Sequence, residues 1–176
     1  MEIVIRQEEK ADWETVEQLV ELAFKTMPFS NGTEHQIVKR LRHSAAFVPE
    51  LSLVAELDKQ IIGHILISKI QIENDTQSVE GLSLAPVSVH PDYQRRGIGG
   101  QLIWRAHEIA QKLGFQSVVL LGHKDYYPRF GYRQTRDFGI KLPFNSAPEN
   151  CMIIELQPSS LAGVTGIVKY PKAFFE

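Results

Sequence analysis

Residues 81–121 hold a strand, a helix and a second strand in one unbroken run, and that order leaves few folds open. Gly81 to Val89 is apolar, 97–113 carries Ile98, Leu102, Ala106, Ile109 and Leu113 at helical spacing with Gly114 to close it, and Ser117 to Leu121 is apolar again. Two strands joined by a helix lie parallel in one sheet, and the crossover between them is right-handed. A mixed α/β architecture follows.

The rest of the chain supplies more strands and a second pair of helices. Ile3 to Arg6 reads as a strand, and Trp13, Val16, Val20 and Ala23 form a helical stripe behind Asp12 as N-cap, ending near Lys25. A polar turn at 30–33 precedes a helix through Ser44, whose buried stripe is Ile37, Val38 and Leu41. Leu51 to Leu57 and Ile61 to Ile72 read as a hairpin joined by Asp58-Lys59, and a turn at Glu73 to Ser78 leads into the run that starts at Gly81. Beyond Leu121 come a short helix, a strand and a last apolar strand at Cys151 to Leu156. No repeat, linker or low-complexity tract divides the chain, so residues 1–176 are expected to form one domain.

Two irregularities in the central unit point to a binding site. The alternation of the first strand breaks, because Leu82 and Leu84 keep one parity while Ala85, Val87 and Val89 keep the other. Pro86 sits at the break, and a proline inside a sheet belongs at a bulge, which bends the strand and frees neighbouring backbone groups. The strand is therefore expected to splay from Ser117 to Leu121 and open a wedge. The second irregularity is the mouth of the helix, Gln94-Arg95-Arg96-Gly97-Ile98-Gly99-Gly100. A helix N-terminus carries unpaired N–H groups and a partial positive charge, and bare glycines at 97 and 99 let a phosphate reach that backbone, with Arg95 and Arg96 adding charge.

Composition narrows the ligand. A net charge of -2 and a pI near 6.3 give no basic footprint for nucleic acid, so the anion site is local. The six histidines lack ligand spacing, and His107-Glu108 is followed by Gln111 where a zinc-binding helix repeats its histidine, so no metal is expected. A dinucleotide fingerprint would need glycine at Leu102, and a phosphate-binding Walker loop would need Gly-Lys before a hydroxyl residue; neither is present. Cys151 is the one cysteine and is read as a small buried hydrophobe. No signal-like or membrane-length apolar run occurs, and the expected compartment is the cytoplasm, with no membrane partner.

What remains, Gln-x-x-Gly-x-Gly after a kinked Val-x-Val strand, resembles the acyl-CoA pyrophosphate loop of the GNAT N-acetyltransferase superfamily. Leu120 to Tyr132, reading LLGHKDYYPRFGY, is similar to the strand, tyrosine turn and Phe-Gly-aromatic segment that follow the loop in that family. The likeness spans essentially the whole chain, through the Met152 to Leu156 strand and the Gly166 to Phe174 tail, and is nearest to the bacterial YhbS-like branch. Where many members carry an asparagine after the strand, this chain has Gly122-His123-Lys124-Asp125.

The resemblance implies a mixed, mostly antiparallel central sheet with a splayed parallel strand pair and flanking helices. It implies acetyl-CoA as donor, with Val87, Ser88 and Val89 pairing the pantetheine arm and Gln94, Arg95, Arg96, Gly97, Ile98, Gly99 and Gly100 holding the pyrophosphate. Tyr127, four residues before Gly131, occupies the place of the family's general-acid tyrosine, while Tyr126 is assigned a packing role. Glu34, Glu80, His90 and His123 stay open as bases. Phe24 and Phe29 are assigned to the acceptor side, where a small-molecule amine and a protein amine both remain open, as does a homodimer. The competing reading is a sensor that binds acyl-CoA without transferring the group.

Overall fold

The isoleucine-rich run after Asp58-Lys59 becomes the spine of the sheet in the computed structural model, which describes residues 2–176. Asp58 and Lys59 both take positive φ, 49° and 67°, giving the two-residue turn whose twist matches that of the strands it joins. The strands are β1 (Val4–Gln7), β2 (Ser52–Leu57), β3 (Gln60–Glu73), β4 (Ser78–Val89), β5 (Ser117–Leu121), β6 (Arg133–Gln134), β7 (Ile140–Lys141), β8 (Cys151–Glu155) and β9 (Gly166–Lys169). They form one sheet in the order β1-β2-β3-β4-β5-β8-β6, with β9 pairing both β3 and β7. Pairing is antiparallel except between β4 and β5 and between the short β7 and β9.

Helices cover both faces. On one side α3 (Ile98–Lys112) lays Ile98, Leu102, Ile103, Ala106 and Ala110 onto Ile65, Ile67 and Leu82, each large aliphatic side chain contributing about 1.5–3 kcal/mol of burial. The helix comes so close that a Cβ at Gly63 would lie 3.1 Å from Leu102 and 3.2 Å from Ile98. The stripe predicted for α3 is thereby corrected at its end. The row in contact steps by four from Ile98 to Ala110, so Ile109 is only partly buried and Leu113 is 47% exposed.

On the other side α1 (Trp13–Phe24) and α2 (Glu34–Arg42) pack Val16, Val20, Val38 and Leu41 against Val54, Leu66 and Ala85. The second helix stops at Arg42, short of Ser44, and Arg42 turns inward to an ion pair with Glu8 and Glu17 beneath α1. Asp12 precedes α1 but does not cap it by its side chain, which binds Arg6 and the Glu9 N–H instead. Ser52 Oγ donates to Glu8 at 2.7 Å and so accepts from His64 Nε2 at 3.1 Å, which leaves His64 Nδ1 buried without a partner. Burial, followed by the nearby Arg42 charge, pushes the His64 pKa down to about 3. Cys151 is buried in the cluster of Ile70, Ile72, Val119, Ile153 and Val168 at the far end of the sheet.

Candidate active site

The parity break of β4 is a bulge in the structure. Ile65 pairs with Val87 and Ile67 with Leu84, so Leu66 alone faces both Ala85 and Pro86. Pairing of β4 with β5 is confined to Leu82 with Val118 and Ser83 with Val119, although β4 runs on to Val89 and β5 to Leu121. Past that point the two strands part and a wedge opens. His90 N–H donates across to Ile62 at 2.8 Å, so by strand alternation the N–H groups of Val89 and Val87 point the other way, into the wedge. Gln94 Nε2 reaches back to the Val89 carbonyl at 3.1 Å and ties the loop to the strand end.

At the mouth of α3, Gly97 takes the N-cap position with φ of 78°, and Arg95 is also left-handed at 64°. A side chain at Gly97 would be strained for that reason alone, at about 1–2 kcal/mol. A Cβ at Gly99 would meet only the Tyr126 hydroxyl at 3.6 Å and Val89 at 3.7 Å. The glycines thus border a hollow of about 490 Å³, lined by Val89, Gln94, Arg95, Gly97, Ile98, Gly99 and Gly100 together with Tyr126 and Arg129. Of the other predicted residues, Val87 lines the adjoining cleft, and Arg96 and Ser88 line neither space. Arg96 turns out to stack over the Tyr93 ring at 5.3 Å, and Ser88 is buried beside His64 with its hydroxyl unpartnered. Arg129, outside the motif, also lines the hollow, with its guanidinium 4.6 Å from the Tyr126 ring centre and its Nε donating to the Tyr126 carbonyl at 2.8 Å.

A larger cleft of about 570 Å³ continues from the wedge toward α1 and α2. Val87 lines it, as do Tyr126 and Tyr127, and Tyr126 borders both spaces. Tyr127 opens a single 3-10 turn, Tyr127–Phe130, for which Tyr126 is the N-cap, with Pro128 near its start and Gly131 at φ of 99° to end it. The two tyrosine rings meet edge to face at 5.0 Å. Behind them Tyr132 and His107 share a hydrogen bond of 2.8 Å, and burial holds the His107 pKa down at about 4. Burial also raises the Tyr127 hydroxyl to about 12, and more modestly that of Tyr126, so both are neutral phenols.

Of the open bases, Glu34 and His123 line the cleft, whereas His90 accepts from the Asp92 N–H beside the loop and Glu80 is exposed opposite Gln71. Phe24 lines the cleft; Phe29 is 100% exposed and does not. Sequence reading missed the far wall, Phe144, Tyr170 and Phe174, because it comes from chain distant from the motif. Among the described residues no cluster of three His, Cys, Asp or Glu forms a metal site, and no helix is long and apolar enough to cross a membrane.

The acetyltransferase (GNAT) family model matches residues 16–132. The Escherichia coli K12 protein named as the uncharacterised N-acetyltransferase YjhQ is 33% identical over 145 residues, 79% of this chain and 80% of that protein. The E. coli K12 N-acetyltransferase YhbS, also named as uncharacterised, is 26% identical over 147 residues, 83% of this chain and 86% of that protein. Its crystal structure in complex with CoA superposes with a TM-score of 0.88 at 24% identity, covering 99% of this chain and 92% of that one. A GNAT acetyltransferase from Brucella melitensis in complex with acetyl-CoA gives a TM-score of 0.80 at 32% identity, covering 98% of both chains.

Proposed function

The chain belongs to the acetyltransferase (GNAT) family, and with acetyl-CoA as its donor we propose that it transfers the acetyl group directly to a primary amine, with Tyr127 serving the leaving sulfur. The observation that carries this reading is the wedge. Strand pairing stops at Ser83, free N–H groups of Val87 and Val89 face the gap, and the gap runs from the glycine mouth of α3 to two tyrosine rings.

These residues fit an acyl-CoA. Bare N–H groups at the start of α3, flanked by Arg95 and Arg129, suit a pyrophosphate, and the open edge of β4 suits an arm that carries amides. The reaction forms a bond from amine nitrogen to the acyl carbon and breaks the carbon–sulfur bond. The amine gives up a proton, and the departing thiolate takes one. Tyr127 keeps its proton up to about pH 12 and is available to donate. A phenol held there is a weaker acid than a thiol of pKa about 8.5, so Tyr127 first acts as hydrogen-bond donor to developing charge on sulfur. Its proton passes over as the one released by the amine is relayed back. A hydrophobic wall excludes water and strengthens that hydrogen bond.

The test is acetyl-CoA-dependent thiol release by the purified protein across amines, with Tyr127→Phe beside it. The phenylalanine variant keeps the ring, so acetyl-CoA affinity and melting temperature are expected to hold while kcat falls by about 10²- to 10⁴-fold. Lost stability with kcat preserved would instead make Tyr127 a packing aromatic.

A further inference from the structure

We infer that the acceptor is a monoamine with an aromatic or branched apolar body and no carboxylate, its ammonium group received by Glu34; this rests on the transferase reading above. The cleft beyond the wedge is walled by Phe24, Ile37, Pro86, Phe144 and Phe174, and no lysine or arginine lines it among the described residues. Glu34 is its one carboxylate.

That carboxylate stands free. Arginines hold Glu8, Glu17, Glu56 and Glu108, whereas no salt bridge among the described residues engages Glu34. Glu34 is the first residue of α2 and is only partly buried, at the rim of the cleft. An unpaired carboxylate at the edge of an apolar chamber recruits one cation. Once bound, the ammonium gives a proton to solvent at the open mouth of the cleft, and the neutral amine advances to the wedge, where the acyl carbon is offered.

The opposite wall is built in advance. Tyr170 and Phe174 rings lie 4.7 Å apart, Phe144 and Tyr170 5.1 Å, and Arg40 Nε fixes the tail by donating to the Ala173 carbonyl at 2.9 Å. A volume of about 570 Å³ suits a small ligand that buries most of its surface against such rings. An amino acid would bring its own carboxylate next to Glu34 with no lysine or arginine to meet it, His123 being the one imidazole of the lining. A polyamine would have to leave its further charges against hydrocarbon, which is costly.

The experiment measures kcat/KM for phenethylamine, phenylalanine, ethanolamine and spermidine with acetyl-CoA, and repeats the first with Glu34→Gln. Phenethylamine is expected to lead each of the others by at least about tenfold, and Glu34→Gln to raise its KM about tenfold with kcat and the acetyl-CoA KM little changed, the loss of one charged hydrogen-bond partner. Transfer to the other amines with phenethylamine inert, or an unchanged KM in the variant, would overturn the inference and leave the transferase reading standing. A fall in kcat at constant KM would make Glu34 a proton acceptor instead of a binding group, which also overturns it. No transfer to any of the four, with acetyl-CoA still raising the melting temperature, would overturn this inference; the transferase reading falls with it only if peptide and protein amines are inert as well.

Discussion

The ring of Tyr127 lies against the Cα of Gly122, so that a Cβ at position 122 would stand 2.9 Å from Cδ2 of the ring and nearer still to Cε2. Only glycine lets the phenol settle against the end of β5. Gly122→Ala must therefore push the ring outward, and overpacking of this kind costs about 1–3 kcal/mol. The expected result is a lower melting temperature together with a reduced kcat, while acetyl-CoA binding, proposed to centre on the mouth of α3, changes less. Calorimetric titration beside steady-state assay separates the two.

Gly99→Ala tests the helix mouth without disturbing it. The added methyl group meets neighbours at ordinary contact distance, 3.6 and 3.7 Å, and alanine is the better helix former by up to about 1 kcal/mol. Thermal stability is expected to hold or rise while CoA affinity falls at least about tenfold, if the methyl group stands in the path of the phosphate as proposed. Gly97→Ala is expected to lose both, since its left-handed φ of 78° adds strain to the fold.

Acid should loosen the protein through two buried histidines. The folded pKa values of His64 and His107, about 3 and about 4, lie below the usual 6.5, so the unfolded chain binds more protons between those limits. Their stabilisation is complete above about pH 6.5 and is lost as pH falls through about 4 and then 3. Each histidine contributes a slope of about 1.4 kcal/mol per pH unit within its window. Urea melts from pH 7 to pH 4.5 are expected to show this, and His107→Phe to flatten it.

Alkali acts through tyrosines in the opposite sense. Burial raises Tyr127 and Tyr170 to about 12 and lifts Tyr132 well above its usual value, so their contribution is intact below about pH 10 and that of the first two is lost as pH climbs through 12. Denaturant midpoints are expected to fall above pH 10, and the fall to weaken in Tyr170→Phe. Activity should show no alkaline limb from Tyr127 below that pH.

How much of this was legible beforehand depends on how far each feature reaches along the chain. Pro86, the parity switch around it and the glycines at 97 and 99 are local signals, and the bulge, wedge and helix mouth follow from them. Arg129 could not be anticipated, because its place beside the hollow is set by its packing over Tyr126, about thirty residues beyond the motif. Strand β9 has four residues and an exposed Ile167, too short a pattern to read, yet its pairing with Glu73 anchors the tail that forms the cleft wall. The inward turn of Arg42 is set by Glu8 and Glu17, distant in sequence, so it left no periodic trace.

The single unmatched position opposite Leu66 has a consequence for how this opening is inherited. Leu82 and Leu84 before it, and Val87 and Val89 after it, all pack with the same core under α3 although their numbering changes from even to odd. A chain one residue shorter at Pro86 would keep every one of those side chains on its face and would run beside β5 in regular register, with no reason to part from it. The opening is therefore encoded as chain length more than as residue identity. Point changes modify it, whereas loss of one codon would close it and leave a sound, continuous sheet with nowhere for a thioester to enter.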